Sequence, residues 1–346
     1  MPKKGQTTPP LLSYADELAE SLRAMLPLAV KECDETAVHQ ARVASRRLSA
    51  AIEVFQPITR SGHRREFART LKKIRRRLGP IRDQAVMLVH LSELENPRHR
   101  VGLEWVRRGL LDRQQTGKES AAEKIKVAKM LARLGGWWGV REQWLEAEGE
   151  LGVLLVQSLH WQLDQFISHA DGVTGGCTKD NGAEVSPDLL DPHQLRIAGK
   201  ALRYTLEFAA AGGHRMPAAV TRAFKRMQDA LGLWHDYVVL NDYLLESIIG
   251  QRDPEIVASV LDLARTVVRK SKIQLEAFSR IWKQRGEGLA RAIASAFPPT
   301  ESTTVDPSPD SVGYLFNETQ TDQHPPGSEA LPAYPPQPAE GETSAA

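Results

Sequence analysis

His39, Arg42 and Arg46 stand three and four residues apart, and His193, Arg196, Lys200 and Arg203 repeat that spacing 154 residues later. At 100° per residue each set lies along one side of a helix. Arginine offers a planar fork of donors, lysine a mobile ammonium, and histidine a ring nitrogen that donates when protonated. Such a row suits the oxygens of an anion. Covalent chemistry needs other groups, and the chain has no GxSxG turn, no P-loop and no zinc-ligand spacing. His235-Asp236 has the order of a metal-phosphohydrolase pair, but no further His/Asp set accompanies it. Asp83 and Asp236 read as structural carboxylates that pair with a nearby Arg or cap a helix. No catalytic residue, metal or cofactor is expected.

The two rows belong to an internal repeat. Val38 to Leu48 aligns with Pro192 to Leu202, and Leu78-Gly79-Pro80-Ile81-Arg82-Asp83 aligns with Leu231-Gly232-Leu233-Trp234-His235-Asp236 at nearly the same offset. Two matches at one offset imply two similar halves related by a pseudo-two-fold axis. Opposite the first row, Ala41, Ala44, Leu48, Ala51, Ile52 and Phe55 share an apolar arc; Leu195, Ala198, Leu202, Leu206 and Ala209 do so in the second copy. Ile197, Tyr204 and Phe208 border the second row with bulk, which suggests a groove wall. Thr36 is the expected N-cap of the first helix, and Asp191-Pro192 the cap and first turn of the second. Both histidines are then expected in a first turn, where free N–H groups favour anions.

A second basic helix precedes each Leu-Gly pair. Arg69, Lys72, Lys73 and Arg76 share an arc of about 100°, and their repeat mates are Arg222, Lys225, Arg226 and Asp229. Residues 38–82 hold thirteen Lys or Arg against two Glu. Such density repels itself unless the side chains splay into water or an anion fills the space between them.

The elements that must carry these rows are helical. Apolar spacing at Leu18, Leu22, Met25, Leu26 and Ala29, and again at Leu151, Leu154, Leu155 and Leu159, has a helical period, and alternating β-branched runs are nearly absent. About ten helices are expected, broken at Gln56-Pro57, Gly79-Pro80, Asn96-Pro97, Gly135-Gly136, Gly212-Gly213 and Asp253-Pro254. The fold class is therefore all-α, with two repeated antiparallel helical bundles around a basic central cavity or groove. The expected limits are a disordered start over 1–9, an N-terminal half over 10–170, a flexible insertion over 171–186, a C-terminal half over 187–297 and a disordered acidic tail over 298–346. That tail has eight Asp or Glu, ten Pro and no Lys or Arg, so the net charge of +2 conceals a basic body. It reads as a solvated appendage, or as a competitor for the basic site. Trp137, Trp138, Trp144 and Trp161 read as core or interface. Cys33 and Cys177 are expected as free thiols. No signal or membrane segment is recognisable, so a cytoplasmic location is expected, with association with storage granules one option.

At His39-x-x-Arg42-x-x-x-Arg46-Arg47-Leu48 with Leu78-Gly79-x-x-Arg82-Asp83, and at His193-x-x-Arg196-x-x-x-Lys200-x-Leu202-Arg203-Tyr204 with Leu231-Gly232-x-x-His235-Asp236, the chain resembles the CHAD family, the conserved histidine α-helical domain. The resemblance spans about residues 10–297. It implies paired helical bundles and a basic cavity that binds inorganic polyphosphate. By position the ligands would be His39, Arg42, Arg46, His193, Arg196, Lys200 and Arg203, with the helices around Lys72 and Lys225 completing the lining. The copies differ: Ser49 stands at the position of Arg203, Asp229 at that of Arg76, and His235 at that of Arg82. Some relatives carry a triphosphate-hydrolysing domain in front, for which the residues ahead of the first helix leave no room.

The expected function is polyphosphate binding without catalysis. Nucleic-acid binding is the alternative from another class; it is disfavoured because the rows lack paired exposed aromatics to stack bases. A phosphohydrolase of the same anion would need carboxylates to hold a metal near the phosphate.

Overall fold

A computed structural model of the chain describes residues 8–175 and 187–299. Among the described residues there are ten α-helices, three short 3-10 turns and no strand. The helices are α1 (Pro10–Lys31), α2 (Glu35–Val54), α3 (Ser61–Ser92), α4 (Arg100–Lys124), α5 (Val127–Leu134), α6 (Trp137–Glu146), α7 (Glu148–Thr174), α8 (Pro192–Ala211), α9 (Ala218–Ser247) and α10 (Pro254–Ala296). None of them is long and apolar enough to cross a membrane. Thus the all-α class stands. Cys33 is a free thiol; Cys177, the first seven residues, 176–186 and the tail from 300 lie outside the described residues.

One expected break is absent. Pro80 lies inside α3, which runs unbroken for 32 residues. Proline removes one N–H and crowds the carbonyl four residues back. That carbonyl belongs to Arg76; beside it, the Arg42 guanidinium reaches in from α2 and donates to the Arg75 carbonyl at 2.7 Å. Leu78 and Ile81, on either side, are buried in the core, so packing holds the helix through the proline. The segment expected to be flexible from residue 171 also begins as helix, since α7 continues to Thr174 and Gly172 is buried.

Both apolar arcs of the repeat face inward: Ala41, Ala44, Leu48, Ala51, Ile52 and Phe55 are buried, as are Leu195, Leu202, Leu206 and Ala209. Tyr204 and Phe208 do not border an open groove. Both are fully buried, and Phe208 meets Tyr14 edge-on at 4.9 Å. Trp137 and Trp144 stack edge to face in the core, whereas Trp138 is 52 % exposed.

The apolar core falls into two clusters, and neither belongs to one repeat. The larger joins α1, α2 and the first half of α3 to α7, α8, the start of α9 and the end of α10; within it Phe166 of α7 meets Phe224 of α9 at 5.5 Å. The smaller joins the end of α3 and α4 to the end of α9 and the start of α10, through Leu91, Val106, Leu240 and Val260. Burying each large side chain is worth about 1.5–3 kcal/mol. The halves therefore share their stabilisation, and α2 lies in contact with α8 where they meet.

Candidate anion-binding site

One of the two His-led helices starts differently from expectation. Asp34, not Thr36, caps α2, its carboxylate accepting from the Ala37 N–H at 2.6 Å. His39 thus lies in the second turn. Asp191 caps α8 as expected and accepts from the N–H of His193 itself at 2.8 Å. Both helix starts already hold a carboxylate, which takes up one of the free N–H groups and offsets the dipole that would draw an anion there. Anion binding has to rest on side chains.

The rows themselves lie deep. Arg42 and Arg196, at equivalent positions, are each only 4 % exposed, and His39, Arg46, His193, Lys200 and Arg203 are half-buried. A cation so enclosed must be matched by acceptors. Arg42 has the Arg75 carbonyl. A Cβ at Gly79 would come within 3.1 Å of its Nη1, so the glycine of the first Leu-Gly pair leaves room for the guanidinium.

Arg75, which the sequence arcs passed over, is 3 % exposed and donates from Nη1 to the Ser45 carbonyl at 3.1 Å and to Ser49 Oγ at 2.6 Å. Ser49 is the residue that replaces Arg203 in the first copy. The first half thus takes its inner cation from α3, while the second takes it from α8 and has Gln228 at the position equivalent to Arg75. Gln228 closes on α8 so tightly that a Cβ at Gly199 would collide with its amide.

Acidic groups among these cations decide much of the geometry. Glu207 on α8 accepts from Arg47 Nε on α2 at 2.6 Å and lies 3.4 Å from Arg203 Nε, tying the two His-led helices together. Its repeat mate Glu53 lacks such a tie: both carboxyl oxygens are enclosed without a hydrogen-bond partner. Burial pushes the Glu53 carboxyl well above the usual range, although Arg75 and Arg64 pull the other way. Asp236 on α9 is fully buried and meets His90 Nε2 on α3 at 3.1 Å. Burial raises its carboxyl to about 6, against the pull of His90, Arg196 and Lys200. The charges of two expected ligands, Arg196 and Lys200, thus reach Asp236, whose hydrogen-bond partner is His90. His235 packs its ring 5.3 Å from that of His193, joining α9 to the head of the second row.

The second basic helices contribute less than their arcs suggested. Arg69, Arg76, Arg222 and Arg226 are exposed; Lys72, Lys73 and Lys225 are half-buried. Lys225 pairs with Asp229 at 2.7 Å and lines a small cavity of about 60 Å³ with Arg203, Glu207 and Phe224. On α3 the inward side carries Arg75 and Gly79, so the arc of Arg69, Lys73 and Arg76 is turned away from it. The chain thus gathers His39, Arg42, Arg46, Arg47 and Arg75 with His193, Arg196, Lys200, Arg203 and Asp236 on packed, mutually tied helices. Sequence reasoning missed Arg47, Arg75 and His90. Glu53 and Glu207, at equivalent helical positions beside the rows, were the readable hint that acidic groups enter the site. Among the described residues no three His, Cys, Asp or Glu are grouped to hold a metal.

An all-helical protein with two His-led cationic helices packed together, each backed by a helix with an internal Leu-Gly pair, is the class that fold and site define. The CHAD domain family matches over residues 13–245, and the chain belongs to it. Helix α10 lies beyond the matched range. The fold is similar to that of the CHAD domain from the plant Ricinus communis, at 19 % identity over 86 % of this chain and 96 % of that one, TM-score 0.53. It is also similar to PptA from Streptomyces chartreusis, at 16 % identity over 78 % and 99 %, TM-score 0.51. No curated protein matches the chain.

Proposed function

We propose that this protein binds inorganic polyphosphate across its two His-led helices and does not turn it over. Membership of the CHAD family, some of whose members bind polyphosphate, supports the ligand class. The observation that carries the reading is the enclosure of Arg42 and Arg196 at equivalent positions on helices that the Arg47–Glu207 pair ties together. A phosphate chain offers evenly spaced charges and no bases, which suits guanidinium forks and gives an aromatic-poor site nothing to stack. Under this reading the two halves pack about a pseudo-two-fold axis, and one long chain spans both rows at high effective concentration. His39, Arg42, Arg46, Arg75, His193, Arg196, Lys200 and Arg203 make the inner contacts. Lys72, Lys73 and Lys225 serve at the rim, and Arg69, Arg76, Arg222 and Arg226 steer the chain from outside.

The test is competition binding of long-chain polyphosphate against single-stranded DNA of equal charge, together with phosphate release in Mg²⁺ or Mn²⁺. Preference for polyphosphate with no release is expected. Equal competition by DNA would favour a nucleic-acid binder, and release abolished by changing His39 or His193 would make the protein an enzyme.

A further inference from the structure

Asp236 is a carboxylate placed where an anion is proposed to bind. It sits on α9, fully buried, and is held by His90 from α3 at 3.1 Å. The other ring nitrogen of His90 faces Glu93 at 3.4 Å. From α8 the charges of Arg196 and Lys200 reach it. Within α9 its neighbours are His235, whose ring stacks near His193, and Tyr237, over whose ring Lys270 of α10 sits at 5.7 Å. One buried carboxylate therefore feels the charge of two cations of the second row and shares a hydrogen bond with a histidine. A polyanion arriving at Arg196 and Lys200 meets like charge at Asp236. Protonating the carboxylate removes that repulsion and leaves both cations to the ligand.

We infer that Asp236 is an internal counter-ion that a bound polyanion displaces by protonation, so that binding at the second row is coupled to proton uptake by the His90–Asp236 pair. The inference rests on the polyphosphate reading of the same site. The proton comes from solvent, and Asp236 stays where it is. The raised position of both members of the pair agrees: His90 is held up by Asp236 and Glu93 against its burial, and the Asp236 carboxyl at about 6 takes its proton just below neutrality. If the bound chain raises the Asp236 carboxyl by one further unit from about 6, affinity gains about sixfold between pH 7.5 and 5.5. Internal phosphates of a long chain keep their charge over that range, so the ligand contributes little. His39, His193 and His235 also gain charge on acidification, so the effect is read as a difference between variants.

The experiment measures the affinity of long-chain polyphosphate at pH 7.5 and 5.5 for the full chain and for Asp236→Asn, which keeps a polar partner for His90 but cannot ionise. The parent should tighten about sixfold more than the variant, and the variant should bind more tightly than the parent at pH 7.5. Calorimetry in buffers of different ionisation enthalpy should show fewer protons taken up by the variant. Equal pH slopes, or a variant weaker than the parent at both pH values, overturn the inference. If Asp236→Asn fails to fold, His90→Gln carries the same test, since it keeps a donor to Asp236 and removes one titrating group. A slope equal to the parent's again overturns the inference. Failure of the parent to bind at either pH overturns the polyphosphate reading itself, a result distinct from binding with unchanged slopes.

Discussion

Changing Glu207 to Gln should lower stability and raise affinity for the same reason. The carboxylate lies 2.6 Å from Arg47 Nε and 3.4 Å from Arg203 Nε, with side-chain exposures of 7, 13 and 12 %. Removing one partner of a well-enclosed ion pair costs about 3–5 kcal/mol, because the remaining charge is left uncompensated. Residual exposure of all three groups places the expected loss near the lower end, about 3 kcal/mol. For a domain of this size that corresponds to a drop of about 6–12 °C in Tm. A polyanion supplies the missing counter-charge, so the variant should regain more Tm than the parent when long-chain polyphosphate is added. Ligand at a hundred times Kd gives about 2.7 kcal/mol, and a tenfold tighter Kd adds about 1.4 kcal/mol. The control is built into the repeat. Glu53 occupies the equivalent position, but neither of its oxygens has a hydrogen-bond partner and burial pushes its carboxyl well above the usual range, so Glu53→Gln should shift stability by less than Glu207→Gln does. Thermal melts of the parent and both variants, with and without polyphosphate, read all of this. Equal Tm for Glu207→Gln and the parent, or equal polyphosphate stabilisation in both, would refute the idea that Glu207 stands in for the ligand.

Replacing Arg196, Lys200 and Arg203 together by Ala should weaken long chains more than short ones. It should also make the log–log salt dependence of binding shallower by about two units, at roughly 0.7 for each phosphate no longer neutralised. An unchanged slope would show the second row to be idle. Stability should rise as pH falls from about 8 to 5.5. His90 and Asp236 both hold protons more tightly in the fold than free in solution, so the folded state binds more protons across that window. The part due to this pair should be missing in Asp236→Asn; a melting profile identical to the parent's at every pH would contradict it. Gly199→Ala should destabilise by about 1–3 kcal/mol, because its Cβ meets both the Gln228 amide and the Phe166 ring, which are buried and have little room to give, and overpacking outweighs the gain in helix propensity. Gly152→Ala, at an open position of α7, should instead stabilise by up to about 1 kcal/mol; equal effects at the two sites would show that the Gln228 amide is not what constrains Gly199.

What the sequence determined by itself is local. Helical periodicity is set within a few turns, so the all-α class, the inward arcs of α2 and α8 and the cap at Asp191 were legible. The repeat was legible because Leu-Gly pairs and His-led rows recur in order. What the tertiary structure decided depends on which elements meet. The Pro80 break failed because Leu78 and Ile81 are buried and Arg42 reaches the adjacent carbonyl across 33 residues. Arg75 was invisible as a site residue because its face of α3 acquires meaning only when α2 packs on it. The acidic partners were invisible for the same reason: Arg47 meets Glu207 across 160 residues and His90 meets Asp236 across 146. A row of like charges is a local pattern, but its counter-ions come from wherever the chain folds back. Only packing in three dimensions could turn Arg69, Arg76, Arg222 and Arg226 outward while sinking Arg42 and Arg196 among carboxylates and carbonyls.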